Sequence, residues 1–193
     1  MVIRPASKTV TRKSGYFNKK NEGGYVGFNA LLCFIENKKK ERCLLKKVNF
    51  SLYKSWLFDW PLSVTFRPLL VRLLIYDVKP SGAPGYSILA KNITATVAPA
   101  QKKVSFDISS LGLDFPSEGI FIGIEFLGYY ADGNFTPFSS EDKNKFLQYQ
   151  AAYSHTEELS RSWVRTDYGN KWDCISGHEP TRNFNFGIEA ACY

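Results

Sequence analysis

Apolar and polar residues alternate along much of the chain with a period of two, which is typical of β-strands that bury one face. The clearest case is VSFDI at residues 104–108. The run at residues 120–127 is apolar on both faces apart from Glu125, as expected for a central strand of a layered β protein. The turn-forming sequence PSEG at residues 116–119 separates the two runs. The pattern therefore predicts two neighbouring strands joined by this turn.

Six further segments are rich in apolar, β-branched and aromatic residues and are bounded by turn sequences such as KPSGAPG. They are residues 25–36, 43–53, 69–78, 88–97, 162–166 and 183–192. About eight strands with no recurring helix between them favour an antiparallel arrangement over alternating strands and helices. The pattern predicts an all-β fold, a two-sheet antiparallel β-sandwich of jelly-roll type.

Two stretches lack a strand pattern. Residues 1–24 are basic, polar and glycine-bearing, which predicts an extended lead-in or linker that does not pack. Residues 25–193 would then form a single β-sandwich domain. In the insertion at residues 139–159, Ser139 followed by Asp142 resembles a helix capping box. This spacing predicts a short helix there, with an irregular loop as the alternative.

The amino-acid composition favours strands, and the basic residues are unevenly distributed along the chain. A length of 193 residues suits one domain, and an aromatic content of 16% suits strands better than helices. Residues 1–50 hold 12 of the 25 basic side chains and only 3 of the 18 acidic ones, and they include Lys38, Lys39 and Lys40. Such a cluster attracts anions, but no helix-turn-helix, zinc-finger or RNP-like motif accompanies it. We therefore interpret it as a solvated loop and expect no nucleic-acid partner.

The lengths of the apolar runs indicate whether the chain contains a membrane helix or a signal peptide. The strongest apolar run, residues 69–76, is interrupted by Arg72 and falls short of the roughly 18 apolar residues that a membrane helix needs. We expect no membrane-spanning segment. The first residues, MVIRP, lack the apolar region of a signal peptide. If the protein is exported, this chain is expected to be a processed or trimmed form, and Met1 need not be its native start.

Four cysteines show no metal-ligand spacing, and we expect neither a metal nor a cofactor. Cys33 and Cys43 flank the lysine loop and would face each other across a hairpin. Cys174 and Cys192 would bridge the last turn of the chain. Both pairings require an oxidising compartment. Four reduced thiols, some of them in the core, are the alternative.

No catalytic signature is evident, and we expect no catalytic residue. Neither Gly-x-Ser-x-Gly, nor HExxH, nor a phosphate-binding glycine loop is present. Asp107 and Glu125 would serve a hydrolase only if they converged. A carboxylate on an apolar face needs a donor, and Arg72 is the candidate for Glu125. Oxygen ligands of the kind that Ca²⁺ takes occur at Asp132, Asn134, Glu141 and Asp142. Their spacing matches no EF-hand, so the pattern favours a solvated loop over a calcium site.

The order of several segments resembles a known family. They are LKKVNFS (45–51), VRLLIYDV (71–78), GAPG then IL (82–85, 88–89), VSFDI (104–108), EGIFIGIEF (118–126) and, at the end, Trp163, Gly169, Trp172 and NFGIEA (185–190). This order is similar to the β-sandwich that follows a carboxypeptidase-regulatory-like domain in many envelope proteins of Bacteroidota. The resemblance covers roughly residues 25–192. It implies an exported protein of the periplasm or cell surface, with a regulatory-like domain and a signal peptide before residue 1, and it carries over no catalytic residue.

These observations predict a non-enzymatic binding or interaction module of a bacterial cell-envelope protein. The expected partner is another envelope protein or a surface glycan. The first alternative is a carbohydrate-binding module that uses aromatic residues of loops, and the second is a hydrolase with a carboxylate pair. The candidate ligand-binding residues are Trp56, Trp60, Tyr129, Tyr130 and Glu125. Trp163 and Trp172 are expected in the core.

Overall fold

The computed structural model describes residues 9–17, 19–25, 30–53, 67–99, 101–138, 150–165 and 171–193. Within them, sixteen strands form two antiparallel eight-stranded sheets that pack face to face, so the predicted all-β, two-sheet sandwich is confirmed. The first sheet contains β1 (Val10–Gly15), β2 (Gly23–Tyr25), β4 (Cys43–Tyr53), β8 (Lys103–Asp107), β9 (Asp114–Phe115), β12 (Gln150–His155), β15 (Arg182–Phe184) and β16 (Phe186–Cys192). The second contains β3 (Ala30–Ile35), β5 (Leu69–Val78), β6 (Pro84–Ser87), β7 (Thr94–Val97), β10 (Ile120–Ala131), β11 (Asn134–Pro137), β13 (Ser162–Arg165) and β14 (Asp173–Cys174).

The core between the sheets is built from the inward positions of the alternating strands. Phe50 of β4 is fully buried, and its ring meets Phe106 and Phe186 edge-on at centroid distances of 5.9 and 4.7 Å. From the opposite sheet, alternate residues of the first part of β10 enter the same core, namely Ile120, Ile122, Ile124 and Phe126. The period of two therefore fixes which side chains the sheets bury against each other.

The lead-in predicted not to pack contains two strands. β1 pairs with β16 along its whole length, and β2 pairs with β12. Between them, the Ser154 hydroxyl donates to the carbonyl of Lys20, and the Asn185 amide donates to Asn21. The prediction is corrected for these residues. These strands show no alternating apolar pattern in the sequence, because they are held by backbone hydrogen bonds at a sheet edge, which need no apolar side chains.

The two runs around residues 116–119 are not neighbouring strands. β8 and then β9 run along β4 in the first sheet, whereas β10 lies in the second sheet between β3 and β5. The turn itself forms as predicted, with a hydrogen bond of 3.1 Å from the Gly119 N–H to the Pro116 carbonyl. Gly119 adopts φ +96°, and a Cβ there would lie 2.7 Å from the Ile35 carbonyl oxygen. This turn carries the chain from one sheet to the other.

The helix predicted in residues 139–159 is not present where that segment is described. Residues 150–155 form β12, which pairs with β2, β4 and β15, and residues 139–149 lie outside the described residues. The strand predicted at residues 88–97 is shorter, since only Thr94–Val97 pairs with β5. β12 forms because it pairs with neighbouring strands that are distant in the sequence. A capping pattern at Ser139 and Asp142 carries no information about this pairing.

The cysteine pairing differs from both predicted pairs. Cys43 and Cys192 form a disulfide, and Cys33 and Cys174 are free. Cys33 lies in β3 of the second sheet and Cys43 in β4 of the first, so the lysine loop joins two sheets and is not a hairpin. The C-terminal strand β16 pairs with β4 and brings Cys192 directly opposite Cys43.

Candidate functional site

The side of the second sheet that faces away from the first sheet is the main candidate site, and we call it the outer face. Its residues follow from the register of β13, β3, β10 and β5. Three rows cross these strands on this side. They are Phe34–Phe121–Tyr76, then Trp163–Leu32–Gly123–Leu74, then Arg165–Ala30–Glu125–Arg72. Most outward positions of the first two rows are apolar or aromatic, which is unusual for the solvent side of a sandwich.

The first two rows form a second apolar cluster, separate from the core between the sheets. Leu32, Leu74 and Phe121 are buried although they point outward, and half-buried aromatic residues pack over them. The Phe121 ring lies 5.3 Å from the Phe34 ring and 6.1 Å from the Trp163 ring, centroid to centroid. The predicted core position of Trp163 and Trp172 is therefore refined, because both belong to this outer cluster.

Gly123 lies at the closely packed middle of the outer face. A Cβ at this position would lie 2.2 Å from the Leu31 carbonyl oxygen and 2.3 Å from the Leu32 Cδ2 atom. Trp172 packs against the same cluster and meets Tyr76 edge-on at 5.7 Å. The glycine thus permits the close packing of side chains from neighbouring strands.

Glu125 is the centre of an ion-pair network on the third row. Arg72 donates from Nε at 2.7 Å and also from Nη2 to Glu125 Oε2, and Arg165 donates from Nη2 to Oε1 at 3.0 Å. The Glu125 side chain is 12% exposed. The predicted pairing with Arg72 is confirmed. Arg165 was missed by the sequence analysis, and its guanidinium also lies 4.9 Å from the centroid of the Trp172 ring.

The aromatic residues at the far end of β10 divide between the two sides of the sheet. Tyr129 packs against the core between the sheets and against Phe138, at 5.7 Å. A bulge between Phe126 and Gly128 shifts the alternation of β10 by one residue, so Tyr130 points to the same side as Glu125. It pairs with Phe135 of β11, and their rings are 5.6 Å apart. Of the predicted ligand-binding residues, the structure therefore places Tyr130 and Glu125 on the outer face and Tyr129 on the inner side.

The remaining sequence candidates do not join this face. Trp56, Trp60, Glu141 and Asp142 lie outside the described residues. Asp107 lies on β8 of the first sheet, exposed on its outer side, so the two sheets separate it from Glu125 and the carboxylate pair does not converge. Hydrogen bonds from the Ser109 hydroxyl and backbone N–H hold the pKa of Asp107 below its ordinary value.

The calcium-site candidates Asp132 and Asn134 occupy the β10–β11 turn, where the Asn134 amide donates to the Asp132 carbonyl. Among the described residues, one group of potential metal ligands comes together, namely Glu41 with Cys43 and Cys192. Both sulfur atoms of that group are in the disulfide. They therefore offer no thiolate to a metal.

A cavity of about 750 Å³ opens at one end of the sandwich. Its floor includes Ile35, Phe115 and the disulfide, and charged side chains line its rim. Many of the rim charges pair with each other, as in Arg12–Glu41 at 3.2 Å and Arg161–Glu36 at 2.9 Å. Burial raises the pKa of the Tyr16 hydroxyl, which points to Glu158 at this rim. No local sequence pattern indicates this cavity, because its lining comes from separate parts of the chain.

No helix formed by the described residues is long and apolar enough to cross a membrane. Comparisons with protein families, with curated proteins and with solved structures find no match for this chain.

Proposed function

We propose that this chain is a non-enzymatic binding module of an exported cell-envelope protein, and that it binds through the outer face of the second sheet. One observation carries this proposal. Half-buried Phe34, Tyr76, Trp163 and Trp172 cover a second apolar cluster on a sheet face that a free-standing sandwich would present as polar. Aromatic residues and arginine are enriched in binding surfaces, and both residue types occur here.

The ion pairs of Glu125 support a binding role over acid–base catalysis. A general acid must give up a proton to a substrate, whereas both carboxylate oxygens of Glu125 accept hydrogen bonds from guanidinium groups. A second carboxylate does not approach it from Asp107, which lies on the opposite sheet. The network instead fixes the positions of Arg72 and Arg165 at the surface.

The disulfide between Cys43 and Cys192 supports the proposed export. Disulfides form and persist in oxidising compartments such as the periplasm and the cell surface. This one joins strands β4 and β16, so an oxidised pair belongs to the core of the folded chain. The resemblance to Bacteroidota envelope proteins points to the same location.

Co-sedimentation with outer-membrane vesicles of a Bacteroidota species tests the proposal. The folded wild-type chain should sediment with the vesicles, and a Tyr130→Ala/Phe135→Ala variant should stay in the supernatant. Tyr193→Ala is the matched control, because Tyr193 is an exposed aromatic residue at the end of the first sheet. Equal sedimentation of the double variant and the wild type would contradict binding through the outer face. The sequence leaves two partner classes, another envelope protein and a surface glycan.

A further inference from the structure

Resting on the proposed function, we infer that the ligand of the outer face is a polysaccharide chain that lies along β10. Aromatic side chains occur at both ends of this strand. Tyr76 and Trp172 lie near Phe121, and Tyr130 with Phe135 lie at the other end. Phe121 and Tyr130 are nine positions apart on a strand with one bulge, which corresponds to roughly 25–30 Å. A surface of this length accommodates several sugar rings of one chain.

The aromatic residues supply the surface on which sugar rings stack. One side of a pyranose ring presents C–H groups, and these pack against the flat face of an aromatic ring. Phe135 is 43% exposed, and Trp172 is partly exposed although it packs against the outer cluster. The aliphatic residues beneath, Leu32 and Leu74, are already buried. The apolar surface left for a ligand is therefore contributed mainly by rings.

The polar centre of the outer face favours a glycan over a protein partner. Along β10, the row of Arg72, Glu125 and Arg165 lies between Phe121 and Tyr130, and Trp172 contacts this row through Arg165. Asn92 accepts a hydrogen bond from Arg72 at 3.3 Å. Carboxylates such as that of Glu125 are depleted from the centres of protein interfaces, because covering them with apolar groups costs solvation energy. Sugar hydroxyls both donate and accept hydrogen bonds, so they satisfy a carboxylate and guanidinium groups together. The arrangement thus matches a ligand rich in hydroxyl groups.

Affinity electrophoresis tests this inference directly. The oxidised full chain is run through native gels that each contain one soluble polysaccharide, with xylan, mannan and mixed-linkage β-glucan as neutral probes and alginate and polygalacturonate as acidic ones. We expect retardation of the wild type and of Tyr193→Ala by at least one polysaccharide. Phe135→Ala and Trp172→Ala should each weaken that affinity roughly tenfold, because each removes a stacking ring. Urea midpoints are measured for each variant, and Phe135→Ala serves as the test if Trp172→Ala does not fold.

The outcomes separate this inference from the proposed function. Absence of retardation by every polysaccharide overturns the glycan inference. The wild type can still sediment with vesicles in that case. If protease treatment of the vesicles abolishes this sedimentation, and the Tyr130→Ala/Phe135→Ala variant separately fails to sediment with untreated vesicles, the partner is a protein and the binding module stands. Retardation that is equal in the wild type, Phe135→Ala and a folded Trp172→Ala overturns binding on the outer face, and with it both proposals.

Discussion

Cys43 and Cys192 lie directly opposite each other on β4 and β16 and form a disulfide between residues 149 positions apart. The bond links β4 to β16, which is the last strand of the chain. Because β16 also pairs with β1, the covalent link stands beside the strand that closes this edge of the first sheet. A cross-link over so long a loop restricts the unfolded chain strongly.

Removal of this disulfide should destabilise the protein. In a Cys43→Ser/Cys192→Ser variant, or after reduction, we expect the free energy of unfolding to fall by about 4–5 kcal/mol, because the unfolded chain regains the entropy of the open loop. Urea unfolding monitored by tryptophan fluorescence measures this change. The control is Cys174→Ser, which removes a free, half-buried thiol. Equal stability of the double variant and the control would contradict the prediction.

The ion-pair network of Glu125 should be needed for the stability of the outer face. Glu125→Gln removes the charge that holds Arg72 and Arg165 together and leaves two cationic groups close to each other. Since the carboxylate is largely buried but the guanidinium groups are partly exposed, we expect a loss of about 1–3 kcal/mol. Urea midpoints measure this loss.

The matched control for the Glu125 network is Asp173→Asn. Asp173 pairs with Lys171 at 3.2 Å, but both side chains are mostly exposed. Exposed pairs contribute little, so we expect a change of less than about 0.5 kcal/mol. A loss as large as that of Glu125→Gln would show that charge alone, independent of burial, accounts for the effect.

The buried strands were predictable from the sequence, and the edge strands were not. β4 and β5 have the bounds that the pattern predicts, because β4 contains alternating apolar and polar residues and β5 is a nearly continuous apolar run. β1 and β2 contain few apolar residues and are stabilised by backbone pairing with distant strands. The sheet to which each strand belongs was also not predictable, since a turn such as residues 116–119 has the same local sequence whether it connects strands within one sheet or between two.

The only part of the site that could be predicted was the pairing of a buried charged group, because such a group needs a hydrogen-bond donor. A carboxylate in the apolar run of β10 requires a donor, and this reasoning found Arg72 for Glu125. Nothing local links Arg165 or Trp172 to that carboxylate, because they come from the last part of the chain. The pair Tyr129 and Tyr130 was predicted as one unit, but strand alternation directs the two rings to opposite sides.

Gly123 should not tolerate a side chain. In Gly123→Ala the new methyl group would overlap the Leu31 carbonyl oxygen, which belongs to the backbone of the neighbouring strand and cannot rotate away. We expect a loss of about 1–3 kcal/mol or more in the free energy of unfolding, measured by urea denaturation. Gly177→Ala is the control, since no atom lies within 4 Å of its added Cβ. If both variants unfold at the same urea concentration, the close packing at Gly123 is not required.

The buried thiol of Cys33 should make the protein less stable at alkaline pH. Burial raises the pKa of Cys33 to about 12 from a value of 9.0 for an accessible thiol. The thiol therefore ionises in the unfolded chain above pH 9 but stays protonated in the folded one. Its contribution to stability is complete below pH 9, and about 1.4 kcal/mol is lost per pH unit as the pH rises from 9 towards 12.

Urea midpoints of the wild type and of Cys33→Ala between pH 7 and 11 test the alkaline effect. Cys33→Ala is expected to be less stable at pH 7, because it removes a buried sulfur atom, but to lose less stability above pH 9. Burial also raises the pKa of the Tyr16 hydroxyl, so Tyr16 should contribute its own loss of stability at alkaline pH. That contribution should remain in Cys33→Ala and be removed in Cys33→Ala/Tyr16→Phe. Parallel pH profiles for the wild type and Cys33→Ala would exclude a role for the thiol.

Deletion of residues 1–15 should weaken the first sheet by exposing the edge of β16. β1 makes six residue pairs with β16, so its loss removes these backbone hydrogen bonds, and we expect a reduction of about 2–4 kcal/mol in the free energy of unfolding. The exposed edge should also favour association between molecules, visible by size-exclusion chromatography. The control chain begins at residue 9 and keeps β1 intact. If the chain that begins at residue 16 matches this control in urea midpoint and elution volume, β1 makes no contribution to the stability of the sandwich.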